Sequence, residues 1–247
     1  MDMQPTVLIT GASRGIGAAA ARAFGARGWR VGVNYCRSRA AAEDLCRALR
    51  ATGADALPLG GDVSDPAQAR AVTEQFLSSF RRIDALVCCA GIALGQMLLT
   101  DVTDEQWRRL FAVDVDGVFY PVRAALGQMV RQKSGAIVTV SSMWGQVGAS
   151  CEVAYSAAKG AVIAFSKALA KEVGPSGVRV NCVCPGVIDT EMNAHLSPAD
   201  REALRLETPL ERLGTPEEVA ETICFLAGPE SRFVTGQVLG VNGGMVI

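Results

Sequence analysis

The chain alternates short, nearly continuous apolar runs with stretches at helical spacing. Residues 6–10 (TVLIT) are a β-branched run that predicts a first strand. Over 15–28, Ile16, Ala20, Ala23, Phe24 and Arg27 fall on one stripe, which predicts a helix. A second strand is expected at 30–35 (RVGVNY), and a helix at 40–51 through Leu45, Cys46 and Leu49. A third strand lies within 56–63, a helix over 66–80, and a fourth strand at 84–89 (DALVCC). One long helix is expected over 103–132, through Trp107, Leu110, Phe111, Val115, Val118, Phe119 and Val122, with Pro121 as its kink. Strands at 136–141, 178–183 and 237–241, and helices at 151–173 and 215–227, complete the pattern.

Strands that are apolar throughout suit a parallel sheet covered on both faces. Strand and helix in alternation imply right-handed βαβ units in one doubly wound sheet. The expected fold is therefore α/β: a single domain with a doubly wound, mostly seven-stranded parallel sheet and helices on both faces. No low-complexity linker or fixed-period repeat divides it, so residues 1–247 read as one domain. The segment 189–211 interrupts the alternation, being polar and charged with Pro198 and Pro209. It falls on the carboxyl side of the sheet, where such folds bind ligands. A substrate lid is expected there, with a plain surface excursion as the alternative.

Composition narrows the partners. Lys plus Arg is 24 and Asp plus Glu is 25, a formal net charge of −1. That balance supplies no general basic face for nucleic acid or for an anionic membrane. No apolar stretch reaches the roughly 18 residues a membrane span needs. The first residues show no basic segment followed by a long apolar run, so a cytoplasmic protein is expected. The eight cysteines are scattered, with Cys88–Cys89 and Cys182-x-Cys184 inside strand-like runs, and His195 is the only histidine. That spacing suits buried reduced thiols rather than disulfides or zinc, and no metal is expected.

Thr10-Gly11-Ala12-Ser13-Arg14-Gly15-Ile16-Gly17 follows the first strand and opens the first helix. Gly11 permits a tight turn, Gly15 lets backbone approach a pyrophosphate, and Gly17 lets the helix pack on the sheet. The helix N-terminus offers unpaired N–H groups to phosphate. Gly11, Ser13, Arg14, Gly15, Ile16 and Gly17 are thus candidate dinucleotide contacts. A carboxylate at the end of the second strand would bind the ribose 2′-hydroxyl of NAD. Asn34-Tyr35-Cys36-Arg37 has none. Asn34 is a candidate contact, and Arg14 and Arg37 are cations suited to the 2′-phosphate of NADP. The alternative is that both arginines are simply solvated.

Tyr155 and Lys159 are four apart in a predicted helix, so they are neighbours on one face. A free tyrosine titrates near pH 10. An adjacent ammonium, and the positive nicotinamide of an oxidised coenzyme, would lower that and ready the phenol for proton exchange.

With these residues together, the chain resembles the short-chain dehydrogenase/reductases over essentially all its length. The resemblance rests on TGASRGIG at 10–17, Asp62-Val63, Ala90-Gly91, Ser142, Tyr155-x3-Lys159, Pro185-Gly186 and Val241-Asn242-Gly243-Gly244. Among subfamilies it is most similar to 3-oxoacyl-acyl-carrier-protein reductases. Residues 141–159 also resemble reductases of aminopentanone-modified elongation factor P. The resemblance implies a single NAD(P)-binding Rossmann fold over 1–247, in which Tyr155 is the general acid, Lys159 binds the nicotinamide ribose, and Ser142 hydrogen-bonds the substrate oxygen. It also implies that Asp62 and Val63 border the adenine and that Cys89, Ala90 and Gly91 line the coenzyme. Pro185, Gly186, Ile188 and Thr190 would hold the nicotinamide end. A homotetramer built through the long helices is implied as well.

Two positions depart from the family pattern. Cys88-Cys89 replaces an Asn-Asn pair, removing amide hydrogen bonds that thiols cannot replace. Asp114 stands where the family commonly has a catalytic asparagine supporting a water that leads protons to the lysine. A charged Asp114 would favour the ammonium form of Lys159. Asp114→Asn is expected to keep at least wild-type reductase activity.

The expected function is NADP-dependent hydride transfer between nicotinamide and a ketone or secondary alcohol, on a 3-oxoacyl thioester. Modified elongation factor P, a steroid or a sugar are alternative substrates. A non-catalytic dinucleotide sensor is the alternative of a different class. Met97, Met143, Trp144, Val147, Met192 and His195 are candidates for the substrate pocket, with core or lid packing as the other explanation of each.

Overall fold

The strands of the computed structural model, which describes residues 4–194 and 196–247, follow the predicted runs closely. They are β1 (Thr6–Thr10), β2 (Arg30–Tyr35), β3 (Ala56–Gly60), β4 (Ala85–Cys88), β5 (Gly135–Val140), β6 (Val178–Pro185) and β7 (Val238–Val241). All pair in parallel, in the order β3-β2-β1-β4-β5-β6-β7. The chain leaves β1 for β2 on one side and later returns to β4 on the other. The order therefore reverses between β1 and β4, and a crevice opens beyond their carboxyl ends.

The helices are α1 (Gly15–Ala26), α2 (Arg39–Ala51), α3 (Pro66–Phe80), α4 (Asp104–Phe111), α5 (Gly117–Gln132), α6 (Met143–Val147), α7 (Val153–Val173), α8 (Pro198–Glu207) and α9 (Pro216–Ala227). Strand residues alternate between two cores. Val7 and Ile9 point to the face covered by α1, α2 and α9, where Phe24, Leu45 and Ile223 are buried. Leu8 points to the face covered by α3, α5 and α7, with Phe76, Met129 and Val162. Both faces are covered, which is why no strand reads as amphipathic.

Two expectations change. The helix predicted over 103–132 is not one α-helix: Ala112–Asp116 forms a π turn between α4 and α5. Gly117 N–H reaches back five residues to Ala112 O. Pro121 lies inside α5, and its ring crowds the carbonyl of Gly117 while offering it no N–H. The irregularity thus falls just before α5 rather than at the proline. The segment 189–211 also has regular structure. Ser197 and Asp200 form a capping box, Pro198 takes the first helical position, and α8 follows with none of its residues buried.

Candidate active site

The strand ends build one groove of about 840 Å³, a volume suited to a cofactor. At its floor the glycine turn is forced by packing. Gly11 is left-handed (φ +63°), and a Cβ there would stand 2.6 Å from Ala90 Cα. A Cβ on Gly17 would stand 2.5 Å from the Gly11 carbonyl oxygen, so α1 starts directly against the turn. Gly11, Ser13, Arg14, Gly15, Ile16 and Gly17 all line the groove at the N-terminus of α1. Backbone this close, with free N–H groups, fits a pyrophosphate.

Asn34 also lines the groove but is buried, and the chain uses its amide. Its Oδ1 accepts from Gly11 N–H at 3.3 Å, and its Nδ2 donates to the carbonyls of Leu59 and Gly61, both at 3.1 Å. It ties the glycine turn to the end of β3. Arg37 lines the same end of the groove. Arg14 reaches across to Glu191 at 3.1 Å in an exposed ion pair.

Beyond the end of β3, Asp62 and Val63 line the groove. Asp62 Oδ1 accepts from Ser64 N–H at 2.9 Å and from its hydroxyl at 2.6 Å. Arg109 of α4 adds an ion pair to Asp62 at 3.4 Å and a bond to Ser64 at 3.1 Å. Burial would raise the Asp62 carboxyl, but the Ser64 bonds and the Arg109 charge outweigh it and hold the group low. Arg109 escaped sequence reasoning, because nothing in a helical arginine 47 positions away marks it as a neighbour of Asp62.

The loop after β4 is held without asparagine side chains. The Thr10 hydroxyl accepts from the N–H groups of Cys89 at 3.1 Å and Ala90 at 3.2 Å. Asp114 Oδ1 accepts from Ile92 N–H at 2.9 Å. Cys88 is buried in the core, whereas Cys89 faces the groove with Ala90 and Gly91. Burial pushes the Cys89 thiol up to about 12.

Ser142, Tyr155 and Lys159 come together on one wall. Ser142 lies two residues past β5 and caps α6, its hydroxyl accepting from Trp144 N–H at 3.2 Å. Gly145 lets α6 press on α7, since a Cβ there would lie 2.7 Å from the Lys159 carbonyl carbon. The Ser141 hydroxyl donates to the Lys159 carbonyl at 2.8 Å and fixes the same contact. Lys159 Nζ sits 5.5 Å from the Tyr155 ring centre. It donates to Val140 O at 3.3 Å and pairs with Asp114 Oδ2 at 3.0 Å. Burial would lower Lys159, but Asp114 and Tyr155 outweigh it and hold the ammonium above the usual lysine range.

The phenol differs from expectation. Burial raises Tyr155, Lys159 lowers it, Asp114 raises it again, a Ser142 hydrogen bond lowers it, and Glu152 adds a small rise. In the protein by itself the balance is upward, because burial and the Asp114 charge exceed what one ammonium supplies.

Pro185, Gly186, Ile188 and Thr190 line the far end, where β6 stops. The candidates for the substrate pocket divide. Met143 is buried, and Met97, Trp144 and Val147 do not line the groove, whereas Met192 does. Ile92, Ala93, Leu94 and Gly95, in the loop after β4, line the groove as well. His195 lies outside the described residues. No group of metal-ligating side chains occurs among the described residues.

A dinucleotide cradle at the reversal of the sheet, with a half-buried phenol and a buried ammonium beside it, is the equipment of an oxidoreductase that takes a nicotinamide dinucleotide. The comparisons agree: residues 11–246 match the model of the enoyl-(acyl carrier protein) reductase family, and the chain belongs to the short-chain dehydrogenase/reductases. It is 42% identical over 244 residues to an uncharacterised oxidoreductase of Bacillus subtilis, YmfI, covering 98% of this chain and 99% of that one. It is 41% identical to a 3-oxoacyl-[acyl-carrier-protein] reductase of Synechocystis, covering 97% and 96%. The crystal structure of a 3-oxoacyl-[acyl-carrier protein] reductase from Brucella melitensis superposes with a TM-score of 0.92 at 36% identity, covering 98% of this chain and 91% of that one. The chain is accordingly an enzyme acting on a CH–OH group or its carbonyl counterpart.

Proposed function

We propose that this enzyme reduces the ketone of a 3-oxoacyl thioester carried on acyl carrier protein, as in fatty acid synthesis, using NADPH. The observation that carries the reading is the convergence of Ser142, Tyr155 and Lys159 on one wall of the dinucleotide groove. The names of the relatives support the substrate class. Arg14 and Arg37, with no carboxylate at the end of β2, support NADP over NAD.

The glycine turn and the N-terminus of α1 would hold the pyrophosphate. Asp62 and Val63 would border the adenine, and Cys89, Ala90 and Gly91 would lie along the coenzyme. Pro185, Gly186, Ile188 and Thr190 would seat the nicotinamide. When bound, that ring supplies the hydride. The Ser142 hydroxyl donates to the substrate oxygen and polarises the carbonyl. The Tyr155 phenol gives its proton to the same oxygen as the alcohol forms. Lys159 binds the nicotinamide ribose and stabilises the phenolate left behind.

Residues 1–247 would act as one domain, with 189–211 closing over substrate. A homotetramer in a reducing cytoplasm completes the proposal. All eight cysteines are free, and no helix among the described residues is long and apolar enough to cross a membrane. Sedimentation of a dilute sample as a monomer would remove the tetramer.

The test follows NADPH absorbance with an acetoacetyl thioester, alongside Tyr155→Phe. Activity in the wild type and its loss in the variant are expected. Equal rates would refute the assigned acid. A ketone panel with NADPH and NADH, including acyl-carrier-protein thioesters and modified elongation factor P, tests the substrate. A clear preference for a carbonyl outside the thioester class overturns that part.

A further inference from the structure

Position 114 carries a carboxylate where the family resemblance leads one to expect an amide, and the surroundings of that carboxylate are specific. The Asp114 side chain is fully buried. Its Oδ1 is taken by Ile92 N–H at 2.9 Å, and its Oδ2 faces Lys159 Nζ at 3.0 Å. The ammonium also donates to Val140 O and stands over the Tyr155 ring. An asparagine could keep the Ile92 bond, but it would bring no charge to the lysine.

We propose that Asp114 is a positioning residue for proton transfer: its carboxylate claims the Lys159 ammonium, weakens that ammonium's hold on the Tyr155 phenolate, and keeps the phenol protonated to higher pH than an amide at 114 would allow. The proposal rests on Tyr155 being the proton donor. Its sign follows from charge alone. A phenolate beside a lone ammonium is stabilised by one positive charge, whereas beside an ammonium–carboxylate pair it meets almost no net charge.

The other groups around the phenol do not supply this balance. Glu152, just ahead of α7, acts on Tyr155 more weakly than Asp114 does. Cys89 at the end of β4 is neutral at ordinary pH. Cys182 on β6 is engaged with Cys184, and Ser142, two residues past β5, carries no charge. None of these changes when residue 114 changes. The arrangement suits an enzyme whose phenol must be loaded with a proton before each reduction.

The experiment is a near-ultraviolet phenolate titration of the full chain without coenzyme, in wild type and Asp114→Asn. Subtracting Tyr155→Phe curves removes Tyr35 and Tyr120, the other two tyrosines. The Tyr155 transition is expected to move down by about one pH unit or more in the variant, the ordinary scale for losing a close charge. The pH–rate profile of alcohol oxidation with saturating NADP should move the same way, rising about tenfold on its ascending limb. Superimposable titrations, or an upward move, overturn the proposal. Full reductase activity in Tyr155→Phe would instead defeat the reading of the acid, a different failure. Should Asp114→Asn not fold, a wild-type crystal structure with bound NADP decides. A Lys159–Asp114 contact is expected there, and an ammonium displaced beyond hydrogen-bond reach of the carboxylate overturns the claim.

Discussion

Asp114 Oδ2 lies 3.0 Å from Lys159 Nζ, and water scarcely reaches either side chain. A buried pair of this kind destabilises strongly when one partner is removed, because the other charge is stranded. Lys159→Met should lower stability by about 3–5 kcal/mol. Lys159→Met combined with Asp114→Asn should recover most of that, since the amide still accepts from Ile92 N–H. Urea unfolding of the three proteins measures it. A double variant no more stable than Lys159→Met alone would contradict the account.

Asp114→Asn by itself should retain ketone reduction at neutral pH. The phenol stays within reach of substrate and still holds its proton there, and the lysine keeps Val140 O. A tenfold or greater fall in turnover would show that the carboxylate itself is needed for reduction.

Gly11→Ala should damage both fold and binding. The residue is at φ +63°, and its new Cβ would meet Ala90 Cα at 2.6 Å, backbone against backbone. Strain and overpacking together predict a loss on the order of 2–4 kcal/mol. Calorimetric titration with NADP should show binding weakened more than tenfold, because the loop that moves is the one holding the coenzyme. Near-normal affinity would argue that the phosphates sit elsewhere.

Arg14→Ala and Arg37→Ala should each weaken NADPH by roughly tenfold while leaving NADH nearly unchanged, as expected for a guanidinium on a 2′-phosphate. Glu191→Gln should tighten NADPH by at most a few fold, because the exposed Arg14–Glu191 pair is worth about 0–1 kcal/mol. Parallel fluorescence titrations with the two coenzymes read both effects. Equal losses for NADH and NADPH would remove the arginines from coenzyme choice.

The strands, and the placing of Tyr155 beside Lys159, were legible in the sequence because each has a local signature. Apolar runs bounded by turns marked β1 to β7, and the spacing of Tyr155 and Lys159 put them on one helical face. The family resemblance supplied Ser142, whose own sequence context marks only a turn. What escaped is set by contacts between distant segments. Arg109 meets Asp62 only after α4 docks over the end of β3. Gly145 matters because α6 presses on α7, a contact no periodicity encodes. Met143 stood next to Ser142 in the chain and so was a natural pocket candidate, yet a short helix turns it into the core. The upward balance on Tyr155 escaped too, because burial is invisible to a pattern of types.

The π turn at Ala112–Asp116 carries a lesson about length rather than chemistry. A π turn accommodates one residue more than an α turn, so this helix tolerates a local surplus at the point where its carboxylate meets the lysine. Deleting a single residue from 112–116 would let the helix close up at regular pitch. The flanking helices α4 and α5 would keep nearly their present register, because the π turn absorbs its extra residue between two α-helical faces, but the widening beside the Lys159–Asp114 pair would be lost. One further inserted residue, by contrast, would turn α5 by about 100° and carry Val118 and Val122 off the sheet.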